Sequence, residues 1–218
     1  AHPDDEILGC GGTLIKHSAN GDKVYQLFIS DGESSRDIKK SQIKKLINKR
    51  KNNAKKSEVV IGALESYFLD YPDNKLDEIP LLTIVKSIEK IIKEVSPKII
   101  YTHCAHDLNI DHQIVHRAVI TACRPLPGQH IKEIYCYEVL SSTEWGLFES
   151  QNSFNPNFFV DISKYFKLKQ EALKVYKDEL KPFPHPRSLE GIKVLANYRG
   201  MSSGYKYAEA FSVKRILK

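Results

Sequence analysis

Ala1-His2-Pro3-Asp4-Asp5-Glu6-Ile7-Leu8-Gly9-Cys10-Gly11-Gly12-Thr13 opens the chain, and it is best read together with Asn109-Ile110-Asp111-His112 a hundred residues later. Positions 2–6 hold one imidazole and three carboxylates, with Pro3 stiffening the turn. A His and an Asp three apart, completed by a distant His, is a usual way to hold zinc with one coordination position open. A second Asp between them is then free to act as a base on metal-bound water. Acidic residues ahead of a helix also serve as caps, and the hexamer alone would suit that reading. Capping does not explain a His in the turn together with a second His-bearing loop, so the metal reading is favoured.

Working outward, Ile7 to Asn20 reads as a helix closed by Asn20-Gly21. Its glycines miss the G-x-G-x-x-G pattern because position 14 is Leu, which argues against a dinucleotide loop. Their expected use is a close backbone approach to the metal loop. Val24 to Ile29 predicts a buried strand ending in the turn Ser30-Asp31-Gly32, with Asp31 a turn residue. Residues 38–61 predict a long helix with an inward stripe of Ile43, Ile47 and Ala54, and Arg50 falls on that stripe. An inward Arg needs a partner, a structural ion pair being one.

Glu65 to Leu69 predicts a short strand, followed by the loop Tyr71-Pro72-Asp73-Asn74. Residues 80–95 form an amphipathic helix with Leu81, Ile84, Val85, Ile88, Ile92 and Val95 on one side, stopped by Ser96-Pro97. Lys98 to Thr102 is the next strand, delivering His103 to Leu108 into a polar loop. Asp111 reads as the N-cap of a helix to about Cys123, which sets His112 and His116 one turn apart. An i, i+4 His pair can bind zinc, but the Glu of H-E-x-x-H is missing, so His116 is read as a supporting or core residue. His17 and His130 fall on surface-like segments and receive no role.

Further strands are expected at Lys132 to Tyr137, Phe158 to Asp161 and Phe211 to Ile216, with helices at 164–179 and about 188–199. The polar run Glu138 to Trp145 reads as a pocket wall. Lys181-Pro182-Phe183-Pro184-His185-Pro186-Arg187-Ser188 has three prolines in eight residues, an extended stiff segment read as reaching over the active site. This alternation predicts one domain over 1–218, a Rossmann-like three-layer α/β/α fold with a mostly parallel sheet and the site at its carboxyl end. A metal ligand at position 2 also predicts an apolar strand upstream of Ala1.

Composition narrows the class. A chain of 218 residues, 41% hydrophobic, suits one soluble globular domain. Cys10, Cys104, Cys123 and Cys136 show no C-x-x-C spacing and read as reduced thiols of a cytoplasmic protein. No apolar run reaches the length of a membrane span. Of the net charge of +6, a local +9 falls between Arg36 and Lys56, leaving −3 elsewhere. Such a helix can meet a phosphate-bearing substrate or an anionic surface. Without interleaved aromatics nucleic acid is disfavoured, and a solvated lysine face outweighs any single partner. A homo-oligomer is compatible with all of this.

These residues carry a resemblance. The opening run is similar to the first signature of the LmbE/PIG-L deacetylases, zinc-dependent hydrolases of N-acylated sugars, and Asn109-Ile110-Asp111-His112 resembles their His-Pro-Asp-His signature. The likeness continues through Arg50-Lys51-Asn52-Asn53-Ala54 and Tyr71-Pro72-Asp73-Asn74 to Glu209-Ala210-Phe211, and looks closest to the branch beside bacterial glycan-assembly genes. It implies His2, Asp5 and His112 as zinc ligands, Asp4 as general base, Asp111 as their orienter, and Arg50 and Asp73 as substrate contacts. His185 and Arg187, on the proline-rich loop, join the candidate substrate contacts. The family usually has a His where Asn109 stands, to help stabilise the oxyanion; Asn can donate a hydrogen bond but carries no charge. Either Asn109 suffices, or His106, His116 or His185 takes over, or activity is weak, with His185 the preferred substitute. The reading is a deacylase of an N-acylated amino sugar or of its nucleotide- or lipid-linked conjugate. The competing one is a catalytically weak or inactive sugar-binding or accessory protein of glycan assembly.

Overall fold

The computed structural model describes residues 1–37, 39–146 and 153–218. β1 (Tyr25–Ser30) pairs in parallel with β2 (Glu65–Tyr71), Tyr25 opposite Glu65. β3 (Ile99–His103) pairs in parallel with β4 (Glu133–Tyr137), Ile99 opposite Glu133. β5 (Phe158–Asp161) and β4 both flank β6 (Ala208–Ile216) antiparallel, giving the order β3-β4-β6-β5. The sheet is therefore mixed. A single crossover helix returns the chain to the edge it left, whereas two helices, α5 (Phe166–Val175) and α6 (Leu189–Met201), separate β5 from β6 and bring the chain in from the other end.

Strand alternation sorts the core onto two faces. Ile29 and Ile134 face one apolar cluster, which α3 (Leu81–Val95) and α4 (Ile110–Ala122) cover with Ile84, Val85, Ile88, Val115 and Val119. Phe28, Tyr135 and Tyr137 face the other, against α1 (Asp5–Ala19), α5, α6 and Ala54 and Ile61 of α2 (Lys40–Ile61). Each such apolar side chain contributes about 1.5–3 kcal/mol by leaving water. Expected positions shift: Leu81 lies exposed in the first turn of α3, α5 stops four residues short of 179, β2 runs on to Tyr71, and β6 begins at Ala208 rather than Phe211. Residue 38, the expected start of α2, lies outside the described residues. No helix among the described residues is long and apolar enough to cross a membrane.

α1 is broken at Cys10, where φ is −144° and ψ 17°. The Glu209 carboxylate of β6 accepts from the Gly12 and Thr13 N–H groups at 2.8 and 2.7 Å. Lys169 of α5 donates to the Leu8 carbonyl at 3.0 Å and to Glu209 at 2.6 Å. One buried ion pair thus satisfies backbone groups that the break frees. The glycines do permit a close approach, but to the sheet rather than to the metal loop. A side chain at Gly9 would enter the Tyr137 ring, and one at Gly12 would meet Ile162 at 2.8 Å.

Candidate active site

Two chain segments build the site. The first is the turn into α1, tied to β1 because the Ala1 carbonyl accepts from the Ile29 and Ser30 N–H groups at 3.2 and 3.0 Å. Within it Asp4 adopts φ 133°, a conformation that costs a residue with a side chain about 1–3 kcal/mol. The Glu6 carboxylate, accepting from the Asp4 N–H at 2.9 Å, helps to hold it. The second segment is the start of α4. Its N-cap is Asn109, whose side-chain oxygen accepts from the Asp111 N–H at 2.8 Å; Asp111, expected in that role, lies inside the helix.

His2 Nδ1, Asp5 Oδ2 and His112 Nε2 converge, each pair 3.3 Å apart. Three tetrahedral ligands at about 2.1 Å from a common ion would stand about 3.4 Å from one another. Asp5 Oδ1 is buried without a hydrogen-bond partner among the described residues, as a carboxylate held for a cation would be. The donor set, two imidazoles and a carboxylate, fits a divalent metal.

The outer edges of both rings face acids. His2 Nε2 lies 3.1 Å from Asp111 and 3.0 Å from Asp73, and His112 Nδ1 lies 3.1 Å from Asp107. His2, Asp73 and Asp111 form a second cluster of possible ligand atoms. Asp111, however, is committed to the Asn74 and Leu76 N–H groups at 2.8 and 3.1 Å, and an Nε2–H facing carboxylates leaves Nδ1 for the metal. Burial opposes charge on His2, yet Asp111, Asp5 and Asp73 hold its pKa well above the usual imidazole range. Burial would push Asp5 up, but the His112 imidazole holds it well below the ordinary carboxylate range.

Asp4 stands apart from this triangle. It is buried, and its Oδ2 lies 3.3 Å from Arg187 Nη1 and 3.9 Å from Arg50 Nη1. Burial raises its pKa against the pull of Arg50 and then Arg187. Arg50 sits inward as its stripe position requires, with Glu179 at 3.0 Å and Glu33 at 3.3 Å as partners. Arg187 is anchored by donating from Nε to the Leu140 carbonyl at 3.2 Å.

Other expected positions are placed differently. Asp73 is turned to His2 and accepts from the Ser35 hydroxyl. Asn109 spends its oxygen on the cap and one amide hydrogen on Asn74 at 3.2 Å. The segment 181–188 is a compact turn rather than an extended one, with the His185 N–H donating to the Pro182 carbonyl at 3.1 Å. His185 packs edge-on to Trp145 and accepts from the Arg187 N–H at 3.0 Å. His116 lies behind the site, its Nδ1 2.8 Å from the His103 carbonyl.

Two site residues were not anticipated. His103 ends β3 instead of entering the loop, and its ring stacks on His112 with centroids 4.0 Å apart. Asp107, 3.1 Å from His112 Nδ1, accepts from the Ser142 and Thr143 hydroxyls, so the run expected as a pocket wall braces Asp107. A strand-end His and an acid five residues before a ligand His were the available signals.

Comparison with known proteins places the chain in a family. A profile of the PIG-L family, described as GlcNAc-PI de-N-acetylase, matches residues 1–123. The chain is 28% identical over 183 residues to the uncharacterised deacetylase YaiS of Escherichia coli K12, covering 81% of this chain and 87% of that one. It is 26% identical over 215 residues to diacetylchitobiose deacetylase of Thermococcus kodakarensis, covering 95% and 78%. Its fold matches N,N'-diacetylchitobiose deacetylase of Pyrococcus horikoshii, solved with its inhibitor MPG, with TM-score 0.79 at 22% identity over 98% of this chain and 81% of that one. With both charged signatures inside a match that spans more than half of its length, the chain belongs to the PIG-L family of de-N-acetylases.

Proposed function

We propose that this protein is a zinc-dependent, cytoplasmic hydrolase that removes the acyl group, an acetyl group, from an N-acylated amino sugar or from its nucleotide- or lipid-linked conjugate. The observation that carries the reading is the 3.3 Å triangle of His2, Asp5 and His112, with the buried Asp4 carboxylate held by Arg187 rather than by the triangle. Relatives that act on diacetylchitobiose support the amino-sugar class.

His2, Asp5 and His112 would hold the metal, with Asp111 and Asp107 fixing the two rings. When bound, zinc supplies Lewis-acid polarisation of the acyl oxygen and of the attacking water. Asp4 takes the proton of that water and returns it to the leaving amine, because an amide nitrogen leaves poorly as an anion. The guanidinium of Arg187, 3.3 Å from Asp4, keeps that carboxylate aimed. Arg187 also brings a fixed positive charge to a site where Asn109 supplies none.

The test pairs metal analysis with amine release from a panel of N-acetylated sugars. Asp4→Asn should keep about one zinc per chain and lose turnover. Full turnover in that variant would sink Asp4 as the base. Metal-loaded wild type that releases amine from no N-acylated sugar would sink the hydrolase reading.

A further inference from the structure

Away from the metal triangle, α2 and the end of α5 enclose a groove of about 920 Å³. Lys44, Lys45, Lys49 and Lys56 reach it from α2, and Lys174 and Lys177 from the opposite wall. On α2 the series 44, 48, 52, 56 repeats every four residues, so lysines and asparagines share one helical face. A solvated lysine face normally mixes signs, with acids three or four residues from each lysine. Here no Asp or Glu occurs between Lys39 and Lys56, and the one acid lining the groove, Asp178, is paired with Lys49 at 2.5 Å. Among the described residues the other five lysines have no ion pair, although amines from two walls converge on one concavity.

The groove also points somewhere. A smaller cavity of about 240 Å³ shares Lys49, Asn53 and Asp178 with it and is walled by Arg50 and Glu179. Arg50 Nη1 is in turn 3.9 Å from the Asp4 carboxylate. Among the described residues no aromatic side chain lines the groove, so they offer no platform for stacked bases. Its size admits a drug-sized ligand rather than a lone anion. Flexible ammonium groups and side-chain amides are suited to phosphate oxygens of variable placement.

We propose that this groove binds a diphosphate or equivalent oligoanionic group. That the group is carried by the substrate whose N-acyl bond lies at Asp4 rests on the amino-sugar reading above. The probe is inorganic pyrophosphate, titrated calorimetrically into the full chain at two salt concentrations. Lys44→Gln/Lys45→Gln/Lys174→Gln should weaken binding at least about tenfold. A control with equal loss of charge on exposed α3 lysines, Lys86→Gln/Lys90→Gln/Lys93→Gln, should change it less than about twofold. No saturable binding to wild type, or equal weakening in both variants, overturns the proposal. Sedimentation with phosphatidylglycerol vesicles that is lost in the groove variant, without pyrophosphate binding, overturns it in favour of a membrane surface. Pyrophosphate binding needs no turnover, so its absence would leave the deacetylase reading standing. Binding with no amine release from any sugar would keep the groove and remove the deacetylase reading.

Discussion

Asp4 and Asp5 are neighbours in sequence, both buried, and they live in opposite surroundings. Asp5 faces imidazoles, with His2 and His112 each 3.3 Å away, and stays ionised far below the usual range. Asp4 faces guanidinium groups at 3.3 and 3.9 Å, and burial still raises its proton affinity. The difference teaches that a one-residue step, aided by the strained φ of 133° at Asp4, turns two identical carboxylates toward different partners. One setting suits a cation. The other suits a proton.

Mutations at the two carboxylates should therefore fail in different ways. The largest effect is expected for Asp5→Ala: metal content and turnover both disappear, as on chelator treatment of the wild type, measured by elemental analysis and amine release. A variant that kept its metal would break the comparison at once. Asp4→Asn comes next, with kcat down about 10²–10⁴-fold and metal retained, since general acid–base help is worth that much. Asp107→Asn should weaken metal binding about 10–100-fold through His112, measured by competition with a chelator. Smallest is Asn109→Ala, which should cost about 0.5–2 kcal/mol of thermal stability as a lost cap, restored in Asn109→Ser. A kcat loss of about 10²–10³ in both variants, without a stability change, would instead make Asn109 an oxyanion donor.

The triangle was legible in the sequence because its ligands sit in two short runs whose residue types are rare together. The order of strands and helices was legible from periodicity, because each buries one face. The direction of β6 was not, since it depends on how many helices intervene and not on any residue of the strand. The cap of α4 was misplaced because Asn109 and Asp111 are equally good caps by type; the choice is made by Asn74 and Leu76, whose N–H groups claim Asp111. Asp107 and His103 stayed hidden because their roles come from where β3 ends and how the next loop folds back.

The broken helix α1 carries one more consequence, for the order in which the molecule assembles. Gly12 is bonded to Glu209 across 197 positions of sequence, so the helix that presents Asp5 is fastened by a strand made long after it. Contacts of that separation form late, because a long loop must close before they add stability. During synthesis the histidines and carboxylates would exist long before the frame that holds them. Capture of metal should then mark the end of folding, and in refolding experiments its uptake should follow the slowest phase.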